Sequence, residues 1–442
     1  MSGGHAHVPN AIWMRSLLMA GIFLTIGVIA YGVLAVGIAG TSEDAGLNGE
    51  YHDAKDAYYT AKDNYETLKA AGEDTSNAKA VKEAAHDEYV STHLNYLTFA
   101  VAGNTVLVMM IVYSAFIGFG GFVNSLKPDA DHGDHDDHGH HGSSSPIVLA
   151  FGVMLFMIGF PRFANGAEGM LYGLEFELMD MAMSTTGLVF VVLGIANWWQ
   201  EDLPFDGHGE QIATATDDMV PFRGQHIRKV GIWIFLMSEV MVFASFFSSY
   251  LRMRTGWCTD WAIKSGVEAC AGVEEGTVVT ASDLIRGDLA TLAPGAINTF
   301  ALIISSYTIV LALKAAKNTN WEVSSNPLMA KLMPTRKAAV RNYLIATLAL
   351  GSLFIVLKLI EWSHLIAEGF TLATQQGSIF YIATGAHGLH VFIGLLVMLY
   401  LVFKADTVGF DEKNGQGIEY FGLYWHFVDL AWVVIFPAFY LY

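Results

Sequence analysis

Three polar patches interrupt apolar stretches of this chain, and each carries residues able to hold protons or metals. They are Trp233-Ile234-Phe235-Leu236-Met237-Ser238-Glu239-Val240, Ala383-Thr384-Gly385-Ala386-His387-Gly388-Leu389-His390 and Tyr424-Trp425-His426-Phe427-Val428-Asp429. An ionisable side chain inside a bilayer costs about 2.5–3.5 kcal/mol on insertion scales, so each such residue is a functional candidate. His387 and His390 are three residues apart, as are His426 and Asp429, which places each pair on one helix face. Two readings stay open for them: metal ligation, since imidazole is the commonest metal ligand, or hydrogen bonding between helices. Gly385, Gly388 and Gly394 favour the second, because small residues let helices come close, and no complete ligand set with supporting outer groups is visible. Glu239, beside Ser238 in mid-span, is expected to find a partner within the bundle.

A fourth polar group needs no motif to be seen. At 100° per residue Lys358, Glu361, His364 and Glu368 fall at about 0°, 300°, 240° and 280° around a helix, so they share a face. Lys358 and Glu361 are i,i+3 neighbours and can pair. An unpaired ammonium at that depth is expensive, so Lys358 is expected to face protein rather than lipid.

These residues sit on helices that must cross a membrane. Of 442 residues, 53% are apolar and 15% charged, well below the roughly 25% charged residues of soluble proteins. The apolar residues come in blocks of about 20, the length that spans a hydrocarbon core. Nine candidates follow: approximately Ala11–Gly40, His93–Phe122, Pro146–Phe163, Met183–Trp199, Ile227–Tyr250, Pro294–Ala316, Val340–Ala367, Gly377–Phe403 and Tyr420–Tyr442. The third is the shortest, with Pro161-Arg162 expected to end it. The first reads as a retained helix, being long for the apolar region of a signal peptide. The expected fold is an all-α, polytopic membrane bundle of about nine helices. The formal charge of −18 argues against a nucleic-acid partner.

Short-loop charges set the orientation. With the N-terminus in the cytoplasm, inside loops hold Arg15, Lys127, Arg223, Arg228, Lys229, Lys314, Lys317, Lys331, Arg336, Lys337, Arg341, Lys404 and Lys413. Outside loops then hold only Arg162, Arg252, Arg254, Lys264 and Arg286, apart from the long stretch 41–92. The expectation is a prokaryotic plasma-membrane protein with its N-terminus cytoplasmic and its C-terminus periplasmic.

Residues 41–92 are polar and helix-prone, broken at Gly72-Glu73-Asp74-Thr75-Ser76. Tyr51, Tyr58, Tyr65 and Leu68 recur at helical spacing, so an extramembrane helical hairpin is expected here. It is either a docking surface for another subunit or a cytochrome, or a solvated spacer. Asp129–Gly142 is a low-complexity linker with His132, His135, His138, His140 and His141 among its aspartates. Such density can bind transition metals, but a Gly-rich tract supplies no fixed geometry. The chain thus divides into an N-terminal helix pair with its hairpin, 1–128, a His/Asp-rich linker, 129–145, and a seven-helix part, 146–442. The two cysteines, Cys258 and Cys270, share one outside loop. Their spacing permits a disulfide without requiring it, and the count excludes a Cys-rich zinc or iron–sulfur framework.

The three opening blocks, in that order, resemble subunit III of the haem-copper cytochrome c oxidases: SEV with a following run of Phe, then ATGAHGLHVFIG, then YWHFVD. Asn197-Trp198-Trp199-Gln200-Glu201-Asp202 followed by Phe205-Asp206-Gly207-His208, Asn298-Thr299 with Ser305-Ser306, and Glu361-Trp362 extend the resemblance from Pro146 to the end. It implies seven helices arranged two plus five around a lipid-filled cleft. It implies phospholipids held by Trp198, Trp199, His208 and Lys404, although the family often has Arg at that last position, and Lys offers a point charge instead of a fork. It also implies that Glu239 lies at the cleft and affects proton uptake by the neighbouring catalytic subunit. The expected role is a non-catalytic subunit supporting proton uptake, lipid binding and stability. This chain would hold no haem, copper or other metal; haem a and copper would sit in partner subunits I and II. The N-terminal helices and hairpin have no counterpart in the family's basic form, so 41–92 is a candidate contact for a c-type cytochrome or a supercomplex subunit. Competing readings are a proton-coupled secondary transporter using Glu239, Glu361 and the histidines, a membrane metalloenzyme using the His pairs and the linker, and an accessory subunit of a quinol oxidase or nitric oxide reductase.

Overall fold

The computed structural model describes residues 9–125, 144–172, 178–202, 225, 227–256, 289–372, 375–407, 409–410 and 415–441. Its helix side chains at 9–11, 124–125, 163–172, 178–181, 198–202, 227, 252–256, 289–291 and 375–376 are not described. Every regular element among the described residues is helical. Among the described residues, eight helices are long and apolar enough to cross a membrane, and a further apolar stretch, Ala182–Asn197, is shorter. The protein is a polytopic helical membrane bundle.

Helix α1 (Pro9–Tyr31) finishes in a π-helical stretch, Gly32–Ala39. Helix α2 (Gly46–Ala71) follows, and α3 (Ser76–Ser125) runs unbroken for 50 residues, about 75 Å at 1.5 Å per residue. That length exceeds any bilayer core, and α2 turns at Gly72 into the first part of α3. Gly72 ends α2 at φ 72, a left-handed conformation that glycine adopts without steric cost. There its N–H donates to Lys69 O and that of Glu73 to Leu68 O. Asp74 Oδ1 accepts from Ser76 N at 2.9 Å and from the Ser76 hydroxyl. These bonds hold the Asp74 carboxyl below its ordinary value. The contribution is therefore present at neutral pH and lost as the pH falls through that lowered value. Tyr51 and Tyr58 form the seam their spacing suggests. Tyr51 stacks on His93 with centroids 4.6 Å apart, and Tyr58 stacks on Tyr89 at 5.6 Å. Lys82 covers the Tyr65 ring at 4.4 Å.

The described residues fall into two compact units, Met1–Leu18 with Phe116–Gln211, and Met19–Ala115 with Ile212–Tyr442. In the first, α4 (Ser145–Tyr172) packs against α5 (Leu178–Asp202). Pro161 does not end α4 as expected; the helix continues to Tyr172. Proline removes one intrahelical donor, a loss that membrane helices absorb by local adjustment and neighbouring groups. Glycines seven apart set the pairing. A Cβ at Gly187 would lie 2.4 Å from Phe156 N and 2.7 Å from Gly152 O, and one at Gly159 would lie 2.7 Å from Ser184 N. The backbones touch where no side chain fits.

In the second unit, α6 (Ile227–Gly256), α7 (Leu289–Lys317), the short α8 (Pro327–Leu332), α9 (Arg336–Ala367), α10 (Gln375–Thr407) and α11 (Gln416–Phe436, with a π-helical tail Pro437–Leu441) form one bundle. Thr335 caps α9, its Oγ1 accepting from Ala338 N at 3.2 Å. Leu302 and Ile309, Leu344 and Phe354, Leu395 and Met398, and Trp425 and Trp432 are fully buried, drawn from α7, α9, α10 and α11. Trp425 fills a slot made by Gly351 and Gly394, where a Cβ would approach its ring to 2.9 and 2.7 Å. Gly385 meets Trp362, whereas Gly388 has open space around it, so two of the three glycines expected to bring helices together do so by receiving an indole.

One end of this bundle is basic. Glu419 accepts from Lys229 at 2.9 Å and from Lys317 at 2.5 Å, and Arg341 pairs with Asp406 at 2.7 Å. Lys337 donates to Thr407 O. One carboxylate therefore ties α6, α7 and α11 together. Its pairs are partly exposed, with side chains 23–44% accessible, which screens them. Glu419→Gln is expected to cost about 1 kcal/mol, seen as a lower thermal midpoint at low salt and a smaller difference at high salt.

Candidate functional site

The three polar blocks converge on the interior of the second unit. Glu239 of α6 and His390 of α10 are brought together across 151 residues of sequence, Oε2 lying 3.0 Å from Nε2. The other imidazole nitrogen, Nδ1, lies 2.7 Å from Ala386 O. A carbonyl oxygen only accepts, so Nδ1 carries a hydrogen. Nε2 is the nitrogen that faces the Glu239 carboxylate. Both side chains keep some exposure, 17% for Glu239 and 18% for His390. Tyr424 of α11 donates its hydroxyl to His390 O at 2.8 Å, and Phe243 packs edge-on to the His390 ring at 5.3 Å. The pair thus sits at the rim of a packed interior.

His387, one turn away, does something different. It is fully buried, and its Nε2 lies 3.0 Å from Val428 O, so Nε2 donates. Nδ1 has no hydrogen-bond partner. Phe354 and Trp432 pack on the ring at 5.2 Å each. His426 Nδ1 lies 3.1 Å from the Ser306 hydroxyl, which also bonds Asp429. The indoles of the same helix are anchored to α7: Trp425 Nε1 donates to Ser305 Oγ at 2.8 Å and Trp432 Nε1 to Thr299 Oγ1 at 3.0 Å. The i,i+3 spacing does not bring His387 and His390 onto a common partner, nor His426 and Asp429 onto more than a serine.

Lys358 and Glu361 pair at 2.8 Å, each 3% exposed. Tyr440, from the tail of α11, bonds both. His364 leaves that group: its Nε2 meets Thr98 Oγ1 at 3.0 Å and Leu94 O at 3.1 Å. With Tyr113 Oη bonded to Ser352 Oγ at 2.9 Å, this fastens α3 to α9. Glu368 is exposed at the end of α9. Lys404 lies at the basic end, Nζ 5.5 Å above the Phe410 ring. The side chains of Trp198 and Trp199, together with His208, Cys258, Cys270 and His132, His135, His138, His140 and His141, lie outside the described residues.

Sequence reasoning missed Tyr440 and Glu419, and gave Tyr424 of the third block no role of its own. Glu419 was within reach, as an acid in the first turn of a span among surplus lysines. Nothing in the spacing of Tyr440 announced that it would meet Lys358, 82 residues away.

The class this geometry defines is an integral membrane helical bundle whose polar residues, the Glu239–His390 pair among them, bind helix to helix. The family described as cytochrome c oxidase subunit III matches residues 296–442. The protein named "Probable quinol oxidase subunit 3" of Staphylococcus haemolyticus is 30% identical over 231 residues, covering 52% of this chain and 94% of that protein. The protein of the same name from Staphylococcus aureus strain USA300 is 30% identical over 230 residues, with the same coverage. This chain belongs to the haem-copper oxidase subunit III family, as a non-catalytic subunit that associates with the catalytic subunits of such an oxidase.

Proposed function

We propose that this chain is subunit III of a proton-pumping cytochrome c oxidase of aerobic respiration, in a prokaryotic plasma membrane. Its partners would be subunits I and II, which would carry haem a and copper. The observation that carries its role is the Glu239–His390 pair: a carboxylate facing an imidazole, both partly exposed, is what a subunit needs to feed protons to a neighbour. The glycine-packed α4–α5 pair ahead of the five-helix bundle favours a cytochrome c oxidase, since third subunits of quinol oxidases typically lack it. The names of the relatives favour the second reading, a quinol oxidase. The collection of basic helix ends on one side of the bundle supports a cytoplasmic N-terminus. Lys404, at that side, would meet a lipid phosphate, with Trp198, Trp199 and His208 as its proposed companions.

The test is purification of the intact complex through this chain, with a reduced-minus-oxidised spectrum and turnover on reduced cytochrome c and on quinol. Haem a and cytochrome c oxidation are the expected results; turnover on quinol alone would establish the second reading. In the same complex Glu239→Gln is expected to slow proton-limited turnover several-fold at alkaline pH while leaving it near wild type in acid, where bulk protons are plentiful. An identical pH profile would reduce the pair to a packing contact.

A further inference from the structure

Lys358, Glu361 and Tyr440 close a ring of three hydrogen bonds. Lys358 Nζ donates to Glu361 Oε1 and to Tyr440 Oη, and Tyr440 Oη donates to the same Oε1. The ring uses only one oxygen of the carboxylate. Oε2 is buried and has no hydrogen-bond partner, although an ionised carboxylate is an acceptor at both oxygens. Lys358, in turn, does not depend on Glu361 alone. Its ammonium lies 5.1 Å from the Phe380 ring, 5.1 Å from Trp432 and 4.9 Å from Tyr440, an aromatic cage that attracts a cation without a counter-charge. The cluster is about two turns from the exposed end of α9 at 366–369, at the end of the bundle away from Glu419.

We propose that Glu361 is a proton-binding site, loaded at Oε2 by water entering from the 366–369 end. A hydronium ion gives its proton to the carboxylate and leaves as water; the product is a carboxylic acid, and Lys358 stays an ammonium in its cage. The reverse step returns the proton. The other ionisable groups around it are His364 on α9, bonded to Leu94 and Thr98, Tyr381 on α10, whose hydroxyl is committed to Phe370 O at 2.7 Å, and His387 beyond Trp432. None of them donates to Oε2, which leaves water as the donor. The site does not depend on whether the complex oxidises cytochrome c or quinol.

The experiment is an infrared pH titration of the whole purified complex in lipid, from about pH 9 to about pH 5, in H₂O and D₂O. The wild type is expected to gain a carboxylic-acid carbonyl band that shifts down in D₂O, and the wild type minus Glu361→Gln difference is expected to isolate it from Glu239 and Asp429. If no band appears in that difference at any pH, the proposal is wrong. Tyr440→Phe keeps the ring packing and removes a donor to Oε1, so the band is expected to move to higher frequency. An unmoved band would also overturn the assignment, and it would do so even if Glu361→Gln failed to assemble.

Discussion

Methionine in place of Lys358 is expected to lower the unfolding free energy by about 3–5 kcal/mol at neutral pH, the cost of leaving one member of a buried pair without the other. The pair is 3% exposed on both sides, so a stranded carboxylate there lacks the full hydration it would have in bulk water. Methionine fills nearly the same volume, which separates the charge effect from a cavity effect. Glu361→Gln is expected to cost less, because an amide oxygen still accepts from Lys358 and Tyr440 while the aromatic cage retains the ammonium. Replacing both, with methionine and leucine, is expected to recover most of the loss, since a dry apolar pair needs no desolvation of charge. The readout is the thermal midpoint of the purified complex for all three variants, with Glu361→Leu alone added to close the double-mutant cycle. The Lys358→Met penalty should shrink in acid, because a stranded carboxylate is costly only while ionised. Equal losses in all three variants would mean that packing, not charge, holds this region.

The second large effect belongs to the α4–α5 pair. Gly187→Leu is expected to destabilise it by about 3 kcal/mol, at the upper end of overpacking costs, because the obstructing atoms are backbone. A Cβ there would sit 2.4 Å from Phe156 N and 2.7 Å from Gly152 O, and no rotamer change relieves that. The helices must separate, and close contact is what holds helices together where lipid offers no hydrophobic drive. Gly231→Ala on α6 is the control: nothing lies within 4 Å of its added Cβ, and alanine favours helix over glycine by about 1 kcal/mol. Differential scanning calorimetry on the two variants should therefore show shifts of opposite sign. A tolerated Gly187→Leu would show that the α4–α5 contact is looser than the described geometry.

What was legible beforehand follows the physics of each feature. Lys358 with Glu361 is an i,i+3 pair on one helix, and helix geometry alone puts them in reach. Tyr51 and Tyr58 repeat at a helical period, and Gly72 marks the turn between two helices. The apolar blocks have the length of a bilayer, which water exclusion demands of any crossing segment. Pro161 was misread because helix breaking is a rule for isolated helices in water, and α4 continues through it. The glycines of α4 and α5 were passed over because a lone glycine in a membrane helix carries no signal until its partner helix is known.

By itself, the sequence determined the all-helical membrane class, most of the spans and the family, because those depend on local composition, period and motif order. Only the tertiary structure decided which polar residues meet: His390 with Glu239 rather than with His387, Tyr440 with Lys358, Glu419 with two lysines from different helices, His364 with α3. A side chain's partner across helices depends on rotation and depth of each helix about its own axis. Those are fixed by the whole packed interior, by Trp425 seated on Gly351 and Gly394, and not by any one segment.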